Sequence, residues 1–161
     1  TAFGPGTSGG DFNNGWLYDA KEDRFLGAEV TAPTFGFGET HYLSDAIVQQ
    51  SYINTVYSLV GKYNTPLFRG MSAGEVLFIG CSGSLRSSDL WEITYRFEAS
   101  PNLSNLTIGT ITGIAKLGWQ YLWAKYGDAT GSGSSFVAPP VEGVYVEDLY
   151  LPANFSGLLI G

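Results

Sequence analysis

The sequence predicts a mainly β protein, built as a single β-sandwich or flattened barrel with one flanking α-helix and long Gly-rich loops. Hydrophobic residues make up 44% of the 161 residues and aromatic residues 15%, whereas charged residues make up only 14%. Soluble domains usually carry about 25% charged residues, so this chain has unusually many side chains suited to burial or contact. Several segments alternate apolar and polar residues, which is typical of strands, and one segment has helical spacing.

The length suits one domain with a real core. Residues 1–15 are rich in Gly, Ser, Asn and Pro, and such a segment has too few apolar side chains to fold on itself. It is interpreted either as a flexible tail or as an arm that lies on a neighbour, anchored by Phe3 and Phe12. We therefore expect an N-terminal arm over 1–15 and a single β-rich domain over 16–161, interrupted by a Gly/Ser-rich loop over 127–140.

The first elements of the domain are a strand and a bend. Residues 24–35 have the composition of a strand that ends near Pro33, since proline cannot donate a hydrogen bond to a sheet. Residues 35–42 are rich in glycine and aromatic residues and are predicted to form a bend.

One helix is predicted over about 45–60. Its apolar residues recur at steps of three and four, which places them on one stripe: Ile53, Val56, Leu59, Val60 and Tyr63. Ser44 or Asp45 is expected to accept hydrogen bonds from the first turn. Gly61 is expected to adopt the left-handed conformation that ends a helix.

The middle of the chain predicts a hairpin. Residues 75–80 form a continuous apolar run, which suits a strand buried on both faces. Residues 91–97 alternate strictly, which predicts one buried face: Trp91, Ile93, Tyr95 and Phe97. The Ser-rich residues 81–88 between the two strands are predicted to form the connecting loop.

The remainder is predicted to be strands and an apolar end. Residues 106–115 contain a weaker strand pattern, and 119–123 alternate as a strand, with a helix over 114–126 as the competing interpretation. The last strand is predicted over 141–147. Residues 155–161 are apolar and need a place to bury.

The net charge is −7, from 15 acidic and 8 basic residues. Proteins that follow a phosphate backbone need clustered positive charge, and the chain contains no basic run, so direct binding of nucleic acid is not expected. No apolar run approaches the ~20 residues that span a bilayer, so we expect a soluble protein without a membrane partner.

Three places in the sequence contain residue types found in catalytic or metal sites. His41, the single histidine, follows Glu39 but lacks a visible nucleophile, and we interpret it as a residue packed beside Tyr42. Residues 80–84 resemble the turn of a serine hydrolase, but the second glycine is missing and a strand follows. Residues 11–22 begin like a calcium loop, yet glycine and ligand positions do not match. We predict no catalytic residue, metal ligand or cofactor site, and therefore no enzyme.

Five segments resemble an uncharacterised bacterial and phage-like protein family over about residues 25–160, a family without an established activity. The segments are Tyr42–Ala46, Phe68–Gly70, Gly74–Gly83, Trp91–Phe97 and Ile114–Trp123. More loosely, the layout is similar to phage tail-tube and related virion proteins, in which a β-sandwich, one helix and extended loops lock subunits into rings. This likeness of architecture implies self-assembly and names no functional residue.

The expected function is a non-enzymatic structural subunit of a symmetric particle, a virion or phage-tail-like protein. Its partners would be copies of itself and other particle subunits, and its location the virion or an extracellular particle. The candidate interface anchors are Phe3, Phe12, Phe136, Phe155, Leu158, Leu159 and Ile160. The alternative is a carbohydrate-binding β-sandwich module that uses exposed Tyr and Trp side chains: Trp16, Trp91, Trp119 and Trp123.

Overall fold

A computed structural model describes residues 33–127 and 140–161. Over these ranges the chain is mainly β, with one α-helix and three separate sheets, which confirms the predicted β-sandwich-like class. The elements in chain order are β1 (Phe35–Ser44), α1 (Gln50–Leu59), β2 (Lys62–Asn64), β3 (Val76–Ser87), β4 (Leu90–Ala99), β5 (Leu103–Ile108), β6 (Ile111–Lys116), β7 (Gln120–Tyr126), β8 (Val141–Asp148), β9 (Leu151–Ala153) and a 3-10 helix (Phe155–Leu158).

The residues divide into two compact units. The first, the sheet unit, comprises Pro33–Asn102, Leu117–Trp119 and Tyr150–Gly161. Its five strands lie in the order β1-β4-β3-β2-β9, antiparallel except for the β2–β9 pair. The second unit includes Leu103–Lys116 and Gln120–Leu149, with the antiparallel pairs β5–β6 and β7–β8. The single domain predicted over 16–161 includes residues outside the described ranges and stays a prediction.

The predicted hairpin is β3 and β4, and its face assignment is confirmed. Ile93, Tyr95 and Phe97 are buried and Trp91 is half-buried, while Arg96 is exposed. The Ser-rich segment, however, is not a loop. It continues β3 as far as Ser87, because its backbone pairs with β4, and only two residues are left for the turn.

The predicted bend at 35–42 is wrong, because these residues lie in β1, which pairs with β4 over ten positions. Glycine is unfavourable in an isolated strand but suits close backbone approach. A Cβ on Gly38 would lie 3.2 Å from the carbonyl oxygen of Tyr95. Pairing with a distant strand therefore decides the conformation here, against the local composition.

Helix α1 is shorter than predicted and begins at Gln50. Gln49 is the N-cap and makes no side-chain capping bond, whereas Ser44 accepts backbone hydrogen bonds in the turn before the helix. Gly61 has a φ of 75°, the left-handed conformation predicted for the residue that follows the helix.

The buried stripe of α1 also differs from the prediction. Tyr52, Val56 and Leu59 are buried, but Ile53 and Val60 are exposed. The helix has apolar side chains on two sides, and only one of these sides packs on the sheet unit's core.

The later elements are strands, as predicted, but one predicted segment is divided into two strands. The segment predicted over 106–115 is two strands, β5 and β6, joined by a turn in which Gly109 has a φ of 60°. Residues 120–126 are a strand rather than a helix, and β8 extends the predicted 141–147 by one residue. The predicted strand over 24–35 lies mostly outside the described residues. None of the helices in the described ranges has the length and apolar character needed to cross a bilayer.

Candidate functional site

Helix α1 exposes an apolar stripe on its outer side. Ile53, Tyr57 and Val60 follow one another at helical spacing and are 47%, 81% and 43% exposed. The helix sequence Gln50–Leu59 contains no charged residue. Exposed helix faces of soluble proteins are normally charged or polar, so this stripe is better suited to a contact than to water.

The stripe forms one wall of a groove of about 310 Å³, here called the α1 groove. The floor of the groove is the part of β3 that carries Gly80, Cys81 and Gly83, and Trp91 and Ile93 of β4 lie beside it. None of the described residues that line the groove carries a charge. The α1 groove is therefore an apolar, electrically neutral depression in a chain whose net charge is −7.

Glycine keeps the floor of the groove low. A Cβ on Gly83 would lie 3.0 Å from the Cγ1 atom of Ile93. Gly80 has a backbone φ of 145°, a conformation that residues other than glycine rarely adopt. The pairing of β3 with β4 shifts by one residue between Phe78 and Gly80, where the groove begins. Larger side chains at the two glycines would fill the groove or strain the strand.

The distal half of β3 is exposed. Every residue from Cys81 to Ser87 is exposed, although the strand begins with three buried residues. β3 pairs with β2 only through Leu77 and Tyr63, and beyond that point no strand in the described ranges pairs with the same edge. A long open edge with exposed faces is a ready surface for association with another chain.

The opposite face of the same hairpin is polar and balanced in charge. Arg86 forms two hydrogen bonds to the carboxylate of Glu92, and the hydroxyl of Tyr42 donates to the same group. The guanidinium of Arg86 holds the pKa of Glu92 below its ordinary value. The two faces of the hairpin thus differ, and only the groove face is apolar.

His41 lies at the edge strand β1 in a cluster with Glu39 and Arg69. Nε2 of His41 lies 2.9 Å from Oε2 of Glu39, and Arg69 binds both oxygens of that carboxylate at 2.6 and 2.7 Å. The hydrogen bond from Arg69 is the main reason that the pKa of Glu39 is lowered. The hydrogen bond that His41 makes here is to a carboxylate and not to a hydroxyl or thiol group.

The same arginine holds the C-terminal segment. Arg69 donates from Nη1 to the carbonyl of Gly161 and from Nη2 to the carbonyl of Ile160, at 2.7 and 2.6 Å. Its backbone φ is 50°, an uncommon conformation for a residue with a side chain. The cluster therefore acts as a clamp between β1 and residues 160–161.

The segment that resembles a hydrolase turn lies within strand β3. Cys81 pairs with Tyr95 and Ser82 with Thr94, and β3 continues to Ser87 without a strand-to-helix turn. Although Cys81 is exposed as a residue, partial desolvation of its thiol raises the pKa of that group, which lowers its reactivity as a nucleophile. In the described ranges, no three His, Cys, Asp or Glu side chains are grouped to hold a metal ion.

The three described tryptophans are half-buried, and each has its own partner. Nε1 of Trp91 donates to Asp45, and Nε1 of Trp119 donates to the carbonyl of Glu75. Trp123 stacks on Tyr145 with ring centres 4.1 Å apart. These are the contacts of packing residues, and Trp16 lies outside the described residues.

Three of the predicted interface anchors lie in the core. Phe155, Leu158 and Ile160 are buried within the sheet unit, because the 3-10 helix packs on α1 and the aromatic residues of the sheet. Leu159 alone among the C-terminal anchors is exposed, at 54%. The other anchors, Phe3, Phe12 and Phe136, lie outside the described residues.

No protein-family model matches the chain, and comparison with curated proteins and with solved structures likewise finds no match.

Proposed function

We propose that this chain is a non-enzymatic structural subunit of a symmetric self-assembling particle, of the virion or phage-tail type. The observation that carries the proposal is the α1 groove, which is apolar, uncharged and exposed. It lies beside a β-strand whose distal half is also exposed.

The residue types of the groove are those of a protein interface. The central parts of interfaces are depleted in charged residues and enriched in aromatic ones, and the groove presents Tyr57 and Trp91 without any charged residue. Contact of this surface with water is unfavourable. Each Å² of apolar surface that association removes from water contributes about 25 cal/mol of favourable free energy. Association therefore has a driving force at this surface.

The charge of the chain supports contact between copies at this surface in particular. Copies that each carry a net charge of −7 repel one another, and the repulsion is smallest where charged groups are absent. A groove and helix without charges are the surfaces on which two such copies approach at the lowest electrostatic cost. Salt screens the remaining repulsion, so assembly should strengthen as ionic strength rises.

The test is the mass of the purified full chain as a function of concentration and salt, by light scattering, combined with electron microscopy. We expect discrete particles of uniform size whose yield increases with concentration and with salt. A chain that stays monomeric at high concentration in low and high salt would contradict the proposal.

The N-terminal arm provides a second test. Removal of residues 1–15 is expected to leave a folded domain that assembles poorly, because this segment is predicted to contact neighbouring subunits. Circular dichroism reports the fold and light scattering the assembly. Normal particles from the shortened chain would count against the proposal.

A further inference from the structure

We infer that two copies of this chain dock through their α1 grooves around a two-fold axis, with Tyr57 of each copy inserted in the groove of the other. The inference rests on the proposed function for the premise that copies associate. It goes further by naming the surface, the partner and the residue that makes the contact.

The surface around the α1 groove carries both a projection and a depression. Tyr57 is 81% exposed at the rim of the α1 groove, and the glycines Gly80 and Gly83 keep the floor of that groove low. A two-fold interface uses the same patch on both subunits, so the patch must be complementary to itself. An aromatic side chain beside a neutral apolar depression meets this requirement.

The exposed side of α1 is also suited to contact with the same helix of a second copy. Ile53, Tyr57 and Val60 form a stripe at spacings of four and three residues, which is the arrangement that packs against another helix. Two such helices lie about 8–10 Å apart when their side chains interdigitate. Because α1 has no charged residue, the two stripes meet without burying an unpaired charge.

The charged residues that flank the two ends of the helix favour the antiparallel orientation. Asp45 precedes α1 and Lys62 follows it, and the ten helical residues between them span roughly 15 Å. Antiparallel docking places Asp45 of one copy near Lys62 of the other, at both ends of the contact. Parallel docking would place like charges together, and it would also align the helix dipoles unfavourably.

The first experiment compares two exposed apolar residues of the sheet unit. Tyr57→Ala should raise the dissociation constant of the dimer about tenfold or more, because buried aromatic side chains at the centre of an interface dominate its affinity. Leu67→Ala is the matched control, since Leu67 is 66% exposed and does not line the groove. It should leave the constant unchanged, as measured by sedimentation at several concentrations, while circular dichroism shows that both variants are folded.

The second experiment uses Cys81 in the floor of the groove as a reporter. In a Tyr57→Cys variant, mild oxidation should join the introduced thiol to Cys81 of the other copy, as the two thiols give two protons and two electrons to the added oxidant. Mass spectrometry of a mixture of light and isotope-labelled chains identifies this bond as intermolecular. Adding Cys81→Ser should abolish this bond, and Leu67→Cys should not join to Cys81.

The outcomes separate this inference from the proposed function. Particles that form normally with Tyr57→Ala, or a Tyr57→Cys chain that fails to join to Cys81 of a second copy, would overturn the two-fold contact and leave self-assembly intact. If Tyr57→Ala weakens assembly but this disulfide does not form, another segment, such as residues 1–15 of a neighbour, occupies the groove and the inference is again wrong. A chain that is monomeric under all conditions overturns both.

Discussion

Tyr52 in helix α1 and Tyr95 in β4 share a hydrogen bond between their phenol oxygens, 2.5 Å apart in the core. Tyr52 also donates its proton to the carbonyl of Leu158, at 2.8 Å. A hydroxyl has one proton and a carbonyl only accepts, so Tyr95 must be the donor to Tyr52. Burial is the main cause that raises the pKa of both phenols, which keeps them protonated and able to donate. This chain of hydrogen bonds joins the helix, the sheet and the C-terminal segment.

The order of donors predicts unequal effects of removing each hydroxyl. Tyr52→Phe leaves both the Tyr95 hydroxyl and the Leu158 carbonyl without a partner, and each buried unsatisfied group costs about 1–3 kcal/mol. Tyr95→Phe removes one donor but lets Tyr52 continue to bind Leu158, so it should cost about 0.5–1.5 kcal/mol. Urea unfolding followed by circular dichroism measures both variants. Equal losses, or a larger loss for Tyr95→Phe, would contradict the assigned direction.

Two neighbouring leucines test whether the C-terminal segment belongs to the core. Leu158 is fully buried and Leu159 is 54% exposed. Leu158→Ala should lower the free energy of unfolding by about 2–5 kcal/mol, because it leaves a cavity among packed side chains. Leu159→Ala should change it by about 0.5 kcal/mol or less, because the side chain is exposed and both residues meet the same left-handed backbone conformation, with a φ of 55°. Similar losses for the two variants would show that the segment is not packed as described.

Secondary structure could be predicted from the sequence where the local pattern of apolar and polar residues matches the pattern of burial in the fold. The alternation from Trp91 to Phe97 is visible in the sequence because one face of β4 is core and the other is not. No such alternation predicts β1 or the Ser-rich half of β3. Both are held by backbone pairing with β4, which a local pattern of side chains does not encode.

The candidate site was missed for a related reason. Ile53 and Val60 belong to the apolar stripe predicted for the helix and are exposed, whereas Phe155 and Leu158 are predicted interface anchors and are buried. Apolar character indicates that a side chain avoids water, but it does not say whether the cover comes from the same chain or from another. Only the three-dimensional packing separates these two uses of the same residue types.

Gly118 tests a close approach of two backbone segments in the sheet unit. A Cβ at this position would overlap the carbonyl of Ser100, whose carbon would lie only 2.7 Å away. The backbone N–H of Gly118 donates to Asn102, so the segment is fixed against moving aside. Gly118→Ala should therefore destabilise by roughly 1–3 kcal/mol. Gly36→Ala is the control, since the nearest atom is 4.0 Å from the added Cβ, and it should be nearly neutral in thermal unfolding.

The clamp formed by Glu39 and Arg69 predicts how stability depends on pH. The hydrogen bonds that Arg69 donates to the Glu39 carboxylate lower the pKa of Glu39 below its ordinary value of 4.5 in the folded chain. A carboxyl group whose pKa is lower in the folded than in the unfolded state stabilises the fold fully above the unfolded pKa. This contribution is lost as the pH falls through the folded pKa. The window of loss therefore begins near pH 4.5 and extends downward.

Glu39→Gln removes the titrating group and leaves Arg69 without its ion-pair partner, so the variant should be less stable than the unmodified chain at neutral pH. The difference between their urea midpoints should be constant above about pH 5.5 and should shrink as the pH falls below about 4.5, because the unmodified chain then loses the same ion pair by protonation. Glu142→Gln is the control, since its pair with Lys125 is exposed, with half or more of each side chain in water. Exposed pairs contribute about 0–1 kcal/mol, so this control should show little difference at any pH. A Glu39→Gln difference that persists unchanged to pH 3, or grows as the pH falls, would show that the carboxylate does not hold Arg69 and the C-terminal segment in place.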